Sequence, residues 1–391
     1  MTNHVYDTII IGAGSVGTPL AWQLAEAGHK VLVLDQFASA GQGSNKEAIG
    51  GIRATHSDPA KIQIGLKSLE IFSTWKETYG DDIGWEQGGY SFVAYHPREE
   101  TILKELLVIQ KQLGLEIDWY DAPALLEIIP ALNPDGLIGG TFSPGDGSAS
   151  PMLSVLACER RAREMGAEFH YKETVTAIER EYPDGHKNGR VTGVKTDKGA
   201  YQAAMVVNAA GPWARQVAAL AGVDVLVEPD SHEGGITEPV AHFLRPMVVD
   251  IHPTEDSANY YFYQHHTGQI IFCITPNPPI VGMDRRETSV FLPQVAKRMI
   301  GIMPRLKNIK VRRTWRGLYP MTPDGAPIVG EVEGLAGYLN AVGMCGQGYM
   351  LGPGLAFYLC QWITGDGADE ARSVLAPLSL YRDFGKKEKL K

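Results

Sequence analysis

The chain of 391 residues is poor in everything that would staple or tether it. Its four cysteines, Cys158, Cys273, Cys345 and Cys360, show neither C-x-x-C spacing nor a neighbouring histidine in ligand register. That argues against a disulfide framework, a zinc site or an iron–sulfur cluster, and no metal is expected. No apolar run is long enough to span a bilayer. The first residues also lack the basic, long-apolar and small-residue order of an export signal, so the expectation is a cytoplasmic protein without a membrane span. Positive charge is short as well: the formal net charge is −9, which disfavours nucleic acid or an anionic membrane as partner. The one basic run, Lys386-Lys387-Glu388-Lys389, reads as a solvated tail.

What the chain has in quantity is glycine, 44 residues of it, in a length that favours two domains over one core. The stretch Thr8-Ile9-Ile10-Ile11-Gly12-Ala13-Gly14-Ser15-Val16-Gly17 organises the reading. A buried strand runs into G-x-G-x-x-G and then a helix, Thr18 to Ala27. Glycine there permits a tight turn, close backbone approach to a pyrophosphate and close packing of helix on strand, while the helix N-terminus offers free N–H groups. Gly28 ends the helix, Lys30 to Leu34 form a second apolar strand, and Asp35 at its carboxyl end suits two ribose hydroxyls. A dinucleotide site follows, with NAD and FAD left open by the motif.

Further along, residues 38–47 are too rich in glycine and serine to pack and read as a loop. Helical spacing runs from Pro59 to Tyr79, strand alternation from Gly89 to Tyr95, and a second helix from Arg98 to Leu113. Ser150-Pro151 reads as an N-cap with proline at the first helical position, opening a helix to Met165. Short strands follow, and Met205 to Trp213 is an apolar strand ending in small residues. From about Asp224 to Tyr319 the chain is β-rich and aromatic, as in Tyr260-Tyr261-Phe262-Tyr263, which suits a sheet with one covered face. A last helix is expected from Pro353 to Thr364. The fold class is α/β (α+β): a Rossmann-like nucleotide-binding domain with a second domain on a mixed or antiparallel sheet.

Three separated stretches share one resemblance: Gly12 to Gly17 with Asp35; Val207 to Trp213; and Arg316 to Gly330 followed by Gly346 to Gly354. Together they resemble FAD-dependent amine oxidoreductases of the D-amino-acid-oxidase superfamily, in particular the sarcosine oxidase β-subunit, dimethylglycine dehydrogenase and proline dehydrogenase β-subunit branch. The resemblance selects FAD, held non-covalently because no cysteine stands near Thr314-Trp315-Arg316. It implies an FAD-binding domain of residues 1–88, 145–223 and 321–391, and a substrate-binding domain of residues 89–144 and 224–320. Cofactor contacts are implied at Gly12, Gly14, Ser15, Val16, Gly17, Asp35, Gln36, Ser44, Asn45, Gly51, Ile52, Val175, Ala209, Ala210, Gly211, Trp213, Gly317, Gly346, Gly348, Tyr349 and Met350.

Arg53 matches the arginine that grips the substrate carboxylate in sarcosine oxidases, a task suited to a planar fork charged at any working pH. Arg53, His56, Tyr349 and Met350 are the candidate catalytic residues. His265, His266 and the tyrosines 260, 261 and 263 are weaker candidates for a pocket wall. Met350 stands where monomeric sarcosine oxidase has a lysine, and Tyr319 where glycine oxidase has an arginine. The first departure opens the way to an acceptor other than oxygen, including an electron-accepting partner subunit. The resemblance implies oxidation of the C–N bond of a small N-substituted amino acid. The alternatives are a hydroxy-acid or glycerol-phosphate dehydrogenase, or a flavin subunit active only with its partner.

Overall fold

Ile9, Ile10 and Ile11 sit at the centre of a parallel sheet and are shielded on both sides, which is why their strand reads as a continuous apolar run. The computed structural model describes residues 5–182 and 188–390. In it five parallel strands are ordered Leu335–Val342, Ala200–Asn208, Val5–Ile11, Val31–Asp35 and Glu168–Tyr171. Ile10 faces a layer of helices, Gly17–Glu26, Pro59–Tyr79, Pro151–Glu164 and Gly348–Thr364. Ile9 and Ile11 face the other way, toward the short antiparallel strands Val175–Glu181 and Gly189–Thr196.

Local signals place several helix ends. Asp58 accepts from the Lys61 N–H, Pro59 opens the helix, and Gly80 at φ +79° closes it, giving the expected range Pro59–Tyr79. Ser150 caps Pro151–Glu164 through the Leu153 N–H. The last long helix differs from expectation, starting at Gly348 and carrying Pro353 within it. A Cβ on Gly352 would fall 1.9 Å from the Ser15 carbonyl oxygen, so the helix is pressed against the glycine turn, and the Gly354 N–H donates to Ser68 Oγ instead of relying on the helix alone.

A second sheet of eight strands runs Val311–Met321, Glu228–Thr237, Ile270–Pro276, Ser257–Gln264, Met247–Asp250, Tyr90–Ala94, Gly139–Ser143, Asp118–Asp121. All neighbours are antiparallel except Tyr90–Ala94 with Met247–Asp250. Tyr260, Phe262 and Phe272 cluster with the helix Phe291–Ile302. Tyr261 and Cys273 come from the same strands and line a cavity between the two sheets.

The C-terminal segment departs most from the sequence reading. The expected solvated tail is docked at two points: Lys386, Lys387 and Lys389 are exposed, but Glu388 and Leu390 are buried, and Glu388 pairs with the buried Lys61 at 2.8 Å. The apolar Leu390 enters a cluster with Tyr90, Phe92 and Met247, an attraction that counting lysines misses.

Candidate active site

The cavity begins at the glycine turn. Gly12 has φ +111°, and a Cβ there would lie 2.5 Å from the Ala209 carbonyl oxygen; one on Gly17 would lie 1.9 Å from that of Gly12. These two glycines are fixed by packing. Gly14 is different, because nothing lies within 4 Å of its virtual Cβ and it faces the cavity. Two helix N-termini converge here, those of Gly17–Glu26 and Gly348–Thr364, whose first-turn amides lack intrahelical acceptors. Asp35 lines the same end. Its carboxylate accepts from the Ala13 N–H (2.7 Å) and the Phe37 N–H (2.8 Å), and burial raises its pKa. Gln36, Val175, Ala209, Ala210, Gly211 and Trp213 complete the wall.

At the other end both sheets contribute. Tyr261 Oη and Tyr319 Oη are 2.6 Å apart, and His232 stacks on Tyr319 with centroids 3.7 Å apart. Arg53, 5% exposed, is the only lysine or arginine lining the cavity among the described residues. Its guanidinium donates to the main-chain carbonyls of Thr55 and Leu390, the latter at 2.8 Å, and lies 3.2 Å from His56 Nδ1. Among the described residues no carboxylate forms a direct ion pair with it. Burial lowers its pKa, with opposing help from nearby Tyr90, Glu388 and Asp146. Asp146, held by the Ala54 N–H and Thr55 Oγ1, is itself pushed up to about 7 by burial.

A family model described as "FAD dependent oxidoreductase" matches residues 7–362. The chain belongs to this family. It is 28% identical to rat (Rattus norvegicus) mitochondrial dimethylglycine dehydrogenase over 91% of its own length and 43% of the relative's. It therefore spans less than half of that curated relative. It is 26% identical to glycine oxidase of Geobacillus kaustophilus, covering 98% of both chains. The structure of L-proline dehydrogenase from P. horikoshii superposes with a TM-score of 0.84 at 30% identity, covering 93% of this chain and 94% of that one.

FAD is the family's cofactor, and the cavity fits it. Besides the open face at Gly14 and the paired helix ends, Asn45 Oδ1 and Gln347 Oε1 are buried without hydrogen-bond partners among the described residues, and both residues line the cavity. Of the residues the resemblance marked for FAD, Gly17 and Ile52 do not reach the wall: Gly17 serves the turn and Ile52 belongs to the core under the helices. Ser44 and Asn45 line the wall and also hold the loop, donating to the Leu318 and Pro151 carbonyls. Gly51 and Gly317 lie close against Tyr90 Oη and Glu47. Gly346, at φ +81°, lies against the Tyr319 ring, and Gly348 against Ser15 Oγ and Met344.

His56 lies outside the lining, fully buried behind Arg53, and desolvation with Arg53 beside it holds its pKa well below the usual range. Tyr349 and Met350 line the cavity from the first helical turn, but the Tyr349 hydroxyl bonds Ser154 Oγ at 2.8 Å. His265 and His266 line a separate groove. Alternation divides the tyrosines: Tyr261 faces the cavity, Tyr263 donates to the Ile49 carbonyl and Tyr260 is core. Tyr90, His232 and Asn259 belong to the wall, yet the sequence pattern did not single them out. Their neighbourhood arises from strand pairing across long sequence separations.

Proposed function

We propose that this chain oxidises the C–N bond of a small N-substituted amino acid, of the sarcosine, dimethylglycine or proline type. The observation that carries the proposal is Arg53: a buried cation in the cavity wall, bonded among the described residues only to neutral groups. A substrate carboxylate would supply a directly bonded countercharge and two acceptors matched to the guanidinium fork. Tyr90, Tyr261 and Tyr319 give the alkylated amine an aromatic wall. A glycerol phosphate would present a dianion, for which a single cation is a poor match.

FAD would be held at its pyrophosphate by the turn at Gly12, Gly14, Ser15 and Val16, at its ribose by Asp35 and beside its adenine by Val175. The amides of Gly348, Tyr349 and Met350 would face the flavin ring. When bound, FAD supplies the two-electron acceptor for the C–H bond next to nitrogen. The chain contributes positioning: Arg53 fixes the carboxylate, the aromatic wall orients the amine, and no nucleophilic side chain is required. The substrate leaves as an imine or iminium, which water hydrolyses. Met350 in place of a lysine supports an electron acceptor other than oxygen, such as a partner protein.

Gly14→Ala separates the fold from the cofactor site. Because the added methyl points into open cavity, the variant is expected to fold with an unchanged circular dichroism spectrum and to lose its flavin absorbance. A variant that retains full flavin would move the pyrophosphate elsewhere. The substrate class is tested by anaerobic titration of the holoprotein. Bleaching of the oxidised-flavin band by one of the three amino acids is expected, whereas bleaching by glycerol 3-phosphate or a 2-hydroxy acid alone would overturn the reading.

A further inference from the structure

On the second sheet, the two neighbouring parallel strands Tyr90–Ala94 and Met247–Asp250 each end two residues before a histidine, His96 and His252, both outside the cavity lining. Their rings stack with centroids 3.9 Å apart. Glu99, in the first turn of the helix Pro97–Gln112, points to the same place, and one ligand atom from each of the three lies within 4.8 Å of the others. Glu99 is only 1% exposed, and among the described residues its Oε2 has no hydrogen-bond partner. A buried carboxylate oxygen left without a donor is costly, and a cation held by both oxygens of Glu99 would satisfy it.

We propose that His96, Glu99 and His252 form a binding site for a first-row divalent cation of the zinc type. Two imidazoles and one carboxylate are a donor set suited to zinc, with water completing a tetrahedron. At ordinary zinc–ligand lengths neighbouring ligand atoms stand roughly 3.3 Å apart. His252 Nδ1 already lies 3.3 Å from Glu99 Oε1, long for a hydrogen bond but matched to that edge. His96 is exposed, so its side chain can turn inward to close the remaining gap. Main-chain contacts fix the backbone that carries His252: Asp250 Oδ1 accepts its backbone N–H (2.9 Å), and Arg298 donates to its carbonyl (2.9 Å) and to Asp250 Oδ2 (2.7 Å). Arg98, whose Nη1 lies 3.7 Å from Glu99 Oε1, is exposed and can yield to the ion. A bound cation would tie the helix to the ends of both strands. Sequence spacing hid the site because its histidines come from distant segments.

The test uses holoprotein stripped with a chelator and titrated with zinc alone, in competition with a chromophoric chelator of micromolar affinity. One zinc per chain is expected, with a rise in Tm, and no change in the flavin spectrum. His96→Ala, an exposed change that should leave folding intact, and Glu99→Gln should each weaken zinc binding at least about tenfold and abolish the rise in Tm. Failure of the wild type to take up stoichiometric zinc would overturn the proposal, as would undiminished binding by His96→Ala and Glu99→Gln. Neither outcome bears on the amino-acid reading of the cavity.

Discussion

Arg53→Ala is expected to lower kcat/KM for the amino-acid substrate by about 30-fold to several thousandfold, the equivalent of the ~2–5 kcal/mol lost when one partner of a buried, hydrogen-bonded charge pair is removed. Flavin content should be unchanged, because none of the turn residues depends on Arg53. The loss should appear mainly in substrate capture, and can be read by anaerobic half-bleaching concentrations alongside steady-state kinetics. Arg53 also donates to the Thr55 and Leu390 carbonyls, so the alanine variant carries a structural burden as well. Arg53→Lys controls for it: charge is retained while the fork is lost, and an intermediate defect is expected. Undiminished turnover of Arg53→Ala at low substrate would remove Arg53 from the substrate site.

Lys61→Met is expected to destabilise the protein by about 3–5 kcal/mol, because it strands the Glu388 carboxylate in the interior. The pair is wholly buried, with side-chain exposures of 0% and 0%. Glu388 Oε1 also accepts from the Ser57 N–H (2.9 Å) and hydroxyl (2.6 Å), and the Lys389 N–H donates to Ser57 Oγ (2.9 Å). The contacts lead to Leu390, whose carbonyl receives Arg53. The double variant Lys61→Met with Glu388→Gln should recover much of the loss, since no unpaired charge remains; denaturant midpoints of both singles and the double give the coupling. A double variant no better than Lys61→Met would contradict this account.

The same pair sets an acid dependence. Burial by itself would raise the Glu388 pKa, but Lys61, His56 and Ser57 outweigh it and hold it well below its ordinary 4.5. A depressed folded-state value means that the stabilisation is present above the unfolded value and is lost as pH falls below it. Stability should therefore fall on acidification below about pH 4.5, and Glu388→Gln should flatten that slope.

Periodic and local features were legible in the sequence. Three successive isoleucines before G-x-G-x-x-G specify a strand buried on both faces, apolar spacing marks the helix from Pro59 to Tyr79, and Ser150-Pro151 opens another, because caps and periodicity act within one turn of chain. Pro353 misled for the same reason: local rules start a helix there, whereas packing of Gly352 on Ser15 begins it at Gly348. The glycine turn and Asp35 are legible because each sits beside a recognisable element, whereas Arg53 is marked by the family resemblance. The tertiary structure decided what depends on chain segments meeting. It brought Leu390 onto Arg53, Glu388 onto Lys61, Tyr261 onto Tyr319 and His252 onto Glu99. Burial and strand register create those contacts, and neither is encoded in the neighbours of any one residue.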